Sequence, residues 1–275
     1  MAAEALKPRS TRPAAATAAK AEEEEGGAWK TAITEIQPNA IRLRGHTLDS
    51  LMGSVTFGQA IYLALVGDLP TPQMGRLIDA ILVASIDHGA TPPSTLAART
   101  AASTGAPFNA AVAAGLLSIN QHHGGAIEDC MRMIQGALKD RQERSLSVDE
   151  AAAALVKSYK ENKKRLPGFG HRIHTDDPRT RRLLAIAHEE GVAGEAVAMV
   201  EALARAVAQS GKSLPVNVDG AIAALLLELN IAPELGNTFF MMARLPGLVA
   251  HVYEEKTRER PMRVIHPTHH IYDGK

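Results

Sequence analysis

Two segments that combine histidine with glycine are the first candidates for a functional site. Residues 120–126 read NQHHGGA, so two glycines follow His123 and allow a tight turn with room for a ligand against the main chain. Residues 167–174 read PGFGHRIH and place backbone N–H groups beside the imidazole of His171, shortly before a predicted helix start. Such groups favour anions and developing negative charge. The alternatives are a helix break with surface histidines and a structural turn.

Three further segments carry acidic or basic groups. Residues 215–220 read PVNVDG and place Asp219 at the start of an almost entirely apolar stretch. Burial there would raise its pKa and the helix N-terminus would lower it, although a plain helix cap is the alternative. Arg244 has a histidine and a glutamate nearby on the last helix, and residues 258–263, RERPMR, precede three histidines. Those histidines lack partnering carboxylates, so we predict no metal site.

Together these segments offer several histidines, one half-buried acid and several arginines. This set suits proton transfer next to the carbonyl of a substrate that carries several carboxylates. The sequence has no competing nucleophile elbow, phosphate-binding loop or zinc signature.

The composition excludes several classes of protein. A chain of 275 residues with 45% hydrophobic residues can bury a large core and is not disordered throughout. Equal numbers of acidic and basic residues, 30 each, and 4% aromatics argue against nucleic-acid and anionic-membrane partners. The lone Cys130 excludes an internal disulfide, and no apolar run is long enough to span a bilayer. We therefore predict a cytoplasmic protein.

Helical periodicity dominates the chain after an Ala-, Pro- and charge-rich segment, residues 1–28, which we predict to be a flexible tail. The pattern predicts a short strand pair within 28–43 and a mostly α architecture beyond it. Predicted helices cover 56–66, 72–88, 109–119, 127–138, 148–162, 177–190, 194–209, 219–229, 233–245 and 246–256. Residues 86–105 and 166–179 are predicted to be irregular. No strand leads through a glycine-rich turn into a helix, so a dinucleotide-binding sheet is not expected.

The order of the motifs resembles the citrate synthase superfamily, and within it the citryl-CoA lyase branch. The matching segments are Arg44-Gly45 with Leu65 to Pro70, Asp87-His88-Gly89 with Ser94 and Arg99, His123 to Ala126, Gly168 to Arg172 with Asp177 to Arg179, and Val216 to Gly220. They cover residues 29–267.

The resemblance implies an all-α fold with a large and a small helical domain and the site in the cleft between them. The large domain would comprise 29–123 and 221–275, and the small domain 124–220. The resemblance also implies a homodimer or a higher homo-oligomer.

Site residues follow from the resemblance, position by position. His123 would bind the thioester oxygen as the enolate of acetyl-CoA forms, Asp219 would exchange the proton on the acetyl carbon, and His171 would bind the oxaloacetate carbonyl or the tertiary hydroxyl. Substrate carboxylates would be held by His88, Arg179 and Arg244, with Arg260 or Arg263 reaching in from a partner subunit. CoA would be bound by Gly168, Gly170 and Arg172.

The implied reaction is cleavage of citryl-CoA to acetyl-CoA and oxaloacetate, with no permanently bound cofactor and with a ligase as the source of citryl-CoA. The NVDG segment and the C-terminal His266-Pro267 followed by Ile271-Tyr272 resemble the lyase module of ATP-citrate lyase, whereas His123 is more like a synthase. A short citrate or 2-methylcitrate synthase is therefore one alternative, and a non-catalytic acyl-CoA-binding homologue is another.

Overall fold

The computed structural model describes residues 29–170, 176–211, 214–262 and 271–274. The chain divides into two compact units, one that ends at Met52 and one that begins at Gly53. The predicted large and small domains do not follow this boundary, and that division stays a prediction.

The first unit contains a small antiparallel sheet. Its strands β1 (Thr34–Gln37), β2 (Ala40–Leu43) and β3 (His46–Thr47) lie in the order β1-β2-β3. Thr34 pairs with Leu43, and Leu43 pairs in turn with His46. The turn between β2 and β3 has positive φ at both Arg44 (50°) and Gly45 (86°), as two-residue hairpin turns require. A single helical turn, α1 (Leu48–Leu51), follows. The predicted strand pair is thus confirmed, with one strand added.

The second unit is helical in its described residues. Its helices are α2 (Phe57–Val66), α3 (Pro72–Ala84), α4 (Pro93–Ser103), α5 (Phe108–Leu117), α6 (Ala126–Glu143), α7 (Val148–Glu161), α8 (Pro178–Glu189), α9 (Glu195–Gln209), α10 (Val218–Glu228) and α11 (Gly236–Arg258), with a short 3₁₀ turn at Pro233–Leu235 before α11. The predicted all-α class is confirmed.

Local sequence sets several of these helix ends. Thr56 and Gln59 form a reciprocal capping box at the start of α2, and Gly67 ends that helix in a left-handed conformation, with φ of 106°. Asp177 caps α8 and Pro178 occupies its first turn.

The core is built around α10. Eight of its side chains or glycines are buried, from Val218 to Leu226, and the helix packs against α6, α8 and α9. A second, smaller cluster joins α4, α5 and α11 through Ala98, Ala102, Ala111, Val112, Leu248 and Val252. Burial on all sides explains why α10 has no polar face.

The structure corrects the sequence analysis in two places. Residues 93–103, predicted to be irregular, form α4; its buried positions are mostly alanine, serine and threonine, which give little hydrophobic periodicity. The two helices predicted over 233–256 are the single helix α11, which continues through Pro246. An interior proline costs an isolated helix about 3 kcal/mol. Here the two residues directly after it, Gly247 and Leu248, are buried.

None of the helices in the described ranges has the length and apolar character needed to cross a membrane.

Candidate active site

One cavity of about 240 Å³ brings together five of the residues singled out in the sequence. They come from five places in the chain: His88 from the loop after α3, His123 from the turn before α6, Arg179 from α8, Asp219 from α10 and Arg244 from α11. Phe240 and Asn217 also line this cavity. Acid, imidazole and guanidinium groups thus face one small space.

His123 lies in a tight turn that the sequence predicted. Its backbone N–H and C=O both bond to Asn120, at 2.9 Å each. Gly124 follows with φ of 87°, and a Cβ at that glycine would lie 2.8 Å from the Phe240 ring, so only glycine fits. The His123 ring meets Phe240 edge to face, with centroids 5.8 Å apart. The turn therefore fixes the imidazole at the cavity wall.

Ser94 orients the His123 ring. Its buried hydroxyl lies 2.8 Å from Nε2 of His123. Burial lowers the pKa of His123, and the positive charges of Arg244 and His88 lower it further, so the imidazole is neutral at neutral pH. The bond allows two arrangements: a neutral ring that accepts the serine hydroxyl at Nε2 carries its proton on Nδ1, whereas a ring that donates from Nε2 has Nδ1 unprotonated. In the first arrangement, Nδ1 of His123 can donate a hydrogen bond to a ligand.

The start of α10 is held by a very close backbone contact. Asn217 caps the helix by accepting a bond from the Gly220 N–H at 3.1 Å, and its own N–H donates to the Gly168 carbonyl at 3.0 Å. A Cβ at Gly220 would lie 2.3 Å from that carbonyl oxygen. Gly170 is bonded to the residues just before Asn217, because its N–H donates to the Pro215 carbonyl at 2.7 Å. Gly168 and Gly170 therefore position the helix end that carries Asp219.

The surroundings of Asp219 favour the protonated form of its carboxyl group. Its surface is partly open to the cavity, yet it sits among protein atoms on almost every side. This burial raises its pKa and outweighs the opposing effect of the positive charges of Arg179 and Arg244; the carboxylate of Asp177 raises the pKa further. Asp219 can therefore hold a proton under conditions where an exposed aspartate cannot.

Arg244 is a buried cation, with 2% of its surface exposed. Its Nε donates to the Ser85 carbonyl at 3.1 Å, and its guanidinium carbon lies 4.6 Å from the centre of the Phe240 ring. Its Nη1 has no hydrogen-bond partner among the described residues. A buried guanidinium nitrogen without a partner is costly, so the arrangement suits an anionic ligand that enters the cavity.

Arg179 is held by Asp177 in a two-point contact. Its Nε lies 3.1 Å from Oδ1 and its Nη2 lies 2.8 Å from Oδ2 of the fully buried Asp177. Asp177, which caps α8, thus also sets the direction of the guanidinium that lines the cavity.

A second cavity of about 540 Å³ lies beside Gly170. Its wall is mainly apolar, with Phe169 and Tyr159 among its residues, and Lys160, Lys164 and Arg165 add positive charge. An apolar surface with a cationic rim suits a ligand that combines an aromatic ring with phosphates.

Four further residues were predicted for the site. His171, Arg172 and Arg263 fall outside the described residues. Arg260 is exposed just after the end of α11 and does not line the cavity. Across the described ranges, no three His, Cys, Asp or Glu side chains cluster as metal ligands would.

The sequence matches the model of a known protein family. Residues 70–268 match the family model "Citrate synthase, C-terminal domain". The chain belongs to the citrate synthase family.

Individual relatives add detail. The structure of citryl-CoA lyase from Hydrogenobacter thermophilus superposes with a TM-score of 0.82 at 45% identity, covering 90% of this chain and 95% of that one. An ATP citrate lyase from Methanosaeta concilii, in complex with (3S)-citryl-CoA, has the same fold, with a TM-score of 0.79 at 21% identity over 100% of this chain and 46% of that one. A citrate synthase from Deinococcus radiodurans is 28% identical over 75% of this chain and 54% of its own length. The chain spans from about a third to about half of the length of such curated relatives.

Proposed function

We propose that the protein cleaves citryl-CoA to acetyl-CoA and oxaloacetate. The observation that carries this proposal is the meeting of Asp219, with its raised pKa, and neutral His123 in one cavity that also contains the buried cation Arg244. The similarity to the Hydrogenobacter citryl-CoA lyase over nearly the whole of that chain supports the choice of reaction.

Carbon–carbon cleavage begins at the tertiary hydroxyl of the substrate. His171, assigned from the sequence resemblance, accepts the hydroxyl proton as the oxygen becomes the ketone of oxaloacetate. The electron pair of the broken bond passes to the thioester, which leaves as an enolate. His123 donates a hydrogen bond to the enolate oxygen, and Asp219 delivers its proton to the carbon to give acetyl-CoA. The proton on His171 then returns to Asp219 through solvent, which restores the starting state.

The charges of the cavity define how the substrate lies. We assign the carboxylates of the citryl group to His88, Arg179 and Arg244, because these groups face the same space as Asp219. We assign CoA to the segment with Gly168, Gly170 and Arg172, and its nucleotide to the larger cavity next to Gly170. The close contact of Gly168 with Gly220 would then connect CoA binding to the position of Asp219.

A hydrolysing citrate or 2-methylcitrate synthase is the second candidate, and the match to the Deinococcus citrate synthase favours it. Such an enzyme uses the same groups in the opposite direction and also hydrolyses the citryl-CoA that it forms. The identity of the released product separates the two reactions.

The partners are also part of the proposal. We expect a homodimer or higher homo-oligomer in which Arg260 or Arg263 reaches a partner's cavity. Leu96 and Leu117, on α4 and α5, are 52% and 79% exposed and offer apolar surface for such an interface. A monomer by sedimentation at working concentration would contradict this expectation. A ligase that supplies citryl-CoA, and a cytoplasmic location, remain predictions.

The decisive experiment supplies synthetic citryl-CoA and separates oxaloacetate release from citrate release. Oxaloacetate with acetyl-CoA is the expected result, and citrate with free CoA would identify a synthase. Binding of CoA without turnover would indicate a non-catalytic homologue. His123→Ala, His171→Ala and Asp219→Ala should each fold normally and lose most turnover, about 100- to 1000-fold where one stabilising donor is removed. Near-normal activity of Asp219→Ala would contradict the mechanism.

A further inference from the structure

One face of α11 contacts three consecutive residues of the loop after α3. Arg244 Nε bonds to the Ser85 carbonyl at 3.1 Å, and His251 Nε2 lies 3.0 Å from Oδ1 of Asp87. Between them, Gly247 faces Ile86 so closely that a Cβ would lie 2.3 Å from its carbonyl oxygen. Positions 244, 247 and 251 share a helix face. The helix therefore fixes residues 85–87 one after another, and the next residue is His88.

Asp87 connects this contact to the turn that follows it. Its Oδ2 accepts the N–H of Gly89 at 2.9 Å, and the N–H of His88 also bonds to the carboxylate. Gly89 has φ of 82°, a left-handed conformation that turns the chain back on itself. One carboxylate thus folds the turn from 87 to 89 and ties it to α11.

The charge state of Asp87 makes His251 the donor of their bond. Burial raises the pKa of Asp87, but the N–H groups of Gly89 and His88, together with His251, outweigh burial and lower it overall. The carboxylate is therefore ionised at neutral pH and can only accept, so Nε2 of His251 carries a proton.

We propose that His251 is a positioning residue for His88. It does not line the cavity, whereas His88 does. By holding Asp87, it fixes the turn that presents the His88 imidazole to a substrate carboxylate. This inference rests on the proposed function for the role of His88, but the position of the turn can be measured without any substrate.

The variants follow from the geometry. His251→Ala removes the donor, and His251→Gln restores an N–H at about the place of Nε2. His188→Ala is the matched control. Nε2 of His188, on α8, lies 2.9 Å from a carboxylate oxygen of Glu201, on α9, and His188 does not line the cavity. Hydrogen exchange of a peptide covering 86–92 reports the turn, and KM and kcat on citryl-CoA report its effect.

His251→Ala should speed exchange of this peptide and raise KM about tenfold with kcat changed less than about twofold, whereas His251→Gln should recover most of both. In a His88→Ala background, His251→Ala should change KM less than about twofold, since the group it positions is gone. Unchanged exchange, no recovery by Gln, or an equal effect of His188→Ala would each overturn the inference.

If the wild-type protein does not turn over citryl-CoA, the proposed function fails, and affinity for oxaloacetate replaces KM in the comparison. Faster exchange with a weaker affinity in His251→Ala alone would still support the role of His251. Unchanged affinity, or no affinity in the wild type, would overturn it.

Discussion

The proposed mechanism requires the hydroxyl of Ser94 to donate to Nε2 of His123 and so to set the tautomer of the ring. Its removal should therefore slow the reaction without weakening substrate binding. Ser94→Ala deletes a single oxygen that lies 2.8 Å from Nε2 and leaves the rest of α4 in place. Ser94 does not line the cavity, so the substrate loses no direct contact. The ring then becomes free to carry its proton on Nε2, where it cannot serve as the donor from Nδ1.

The size of the effect follows from the bond that is lost. A neutral hydrogen bond of this kind contributes about 1 kcal/mol net, with a range of about 0.5 to 1.5. Since the bond fixes the donor that stabilises the enolate, this energy is expected in the barrier, and kcat should fall about fivefold, within about 2- to 13-fold. KM should stay within about twofold.

Ser103→Ala provides the control on the same helix. Its hydroxyl donates to the Thr100 carbonyl at 2.8 Å, and it is also buried, but it has no contact with His123. The assay measures oxaloacetate release at saturating citryl-CoA for both variants, with thermal unfolding as a check on folding. An unchanged kcat in Ser94→Ala, or an equal loss in Ser103→Ala, would refute the role given to this hydroxyl.

Three further predictions concern stability. Burial raises the native pKa of Asp219 above its ordinary 3.8, so the cost of the ionised group to the native state is absent below that pH, grows as pH rises above it and levels off above the native pKa. Asp219→Asn should therefore abolish turnover yet raise Tm more at neutral pH than at about pH 4, and an increment that is the same or smaller at neutral pH would contradict the assignment. Glu255→Ala breaks a buried ion pair of 2.6 Å with Arg99 and should lower the free energy of unfolding, measured in denaturant titrations, by about 3 kcal/mol. Glu195→Ala breaks a more exposed pair of equal length with Arg141 and should lower it by less than about 1 kcal/mol, so similar losses in the two variants would refute the argument from burial. Gly220→Ala should displace the Gly168 carbonyl and lower both Tm and turnover. Gly136→Ala, at a position on α6 with open space around it, should instead raise the free energy of unfolding by about 0.5 to 1 kcal/mol. Unchanged Tm and turnover in Gly220→Ala would show that the backbones at Gly168 and Gly220 can move apart.

Much of the site was predictable because its residues stand out by type. His88, His123 and Asp219 are polar residues at the ends of apolar helical stretches, and polar residues at such junctions often have a functional role. Asp177 caps α8 and Pro178 lies in its first turn, and both residue types are typical of a helix start. The pairing of residues far apart in the chain followed from the family resemblance and not from periodicity.

The supporting residues were harder to find. Ser94 precedes its partner His123 by 29 residues, and nothing in the local sequence distinguishes it from other serines. Its helix was missed because alanines at 98 and 102 form the buried face. Phe240, which contacts both His123 and Arg244, has the pattern of an ordinary core residue. Such contacts are created by tertiary packing, and a single sequence carries no direct sign of them.

The five separate origins of the cavity wall have a consequence for folding. Its residues lie in five elements spread from His88 to Arg244, so any partly folded form that lacks one of these elements lacks the complete cavity. Closing such distant contacts costs chain entropy, so we expect the cavity to be completed late in folding. A ligand of this cavity then binds only the native protein and, at 100 times its dissociation constant, adds about 2.7 kcal/mol to the free energy of unfolding. Substrate in the cell would thus also keep the chain folded.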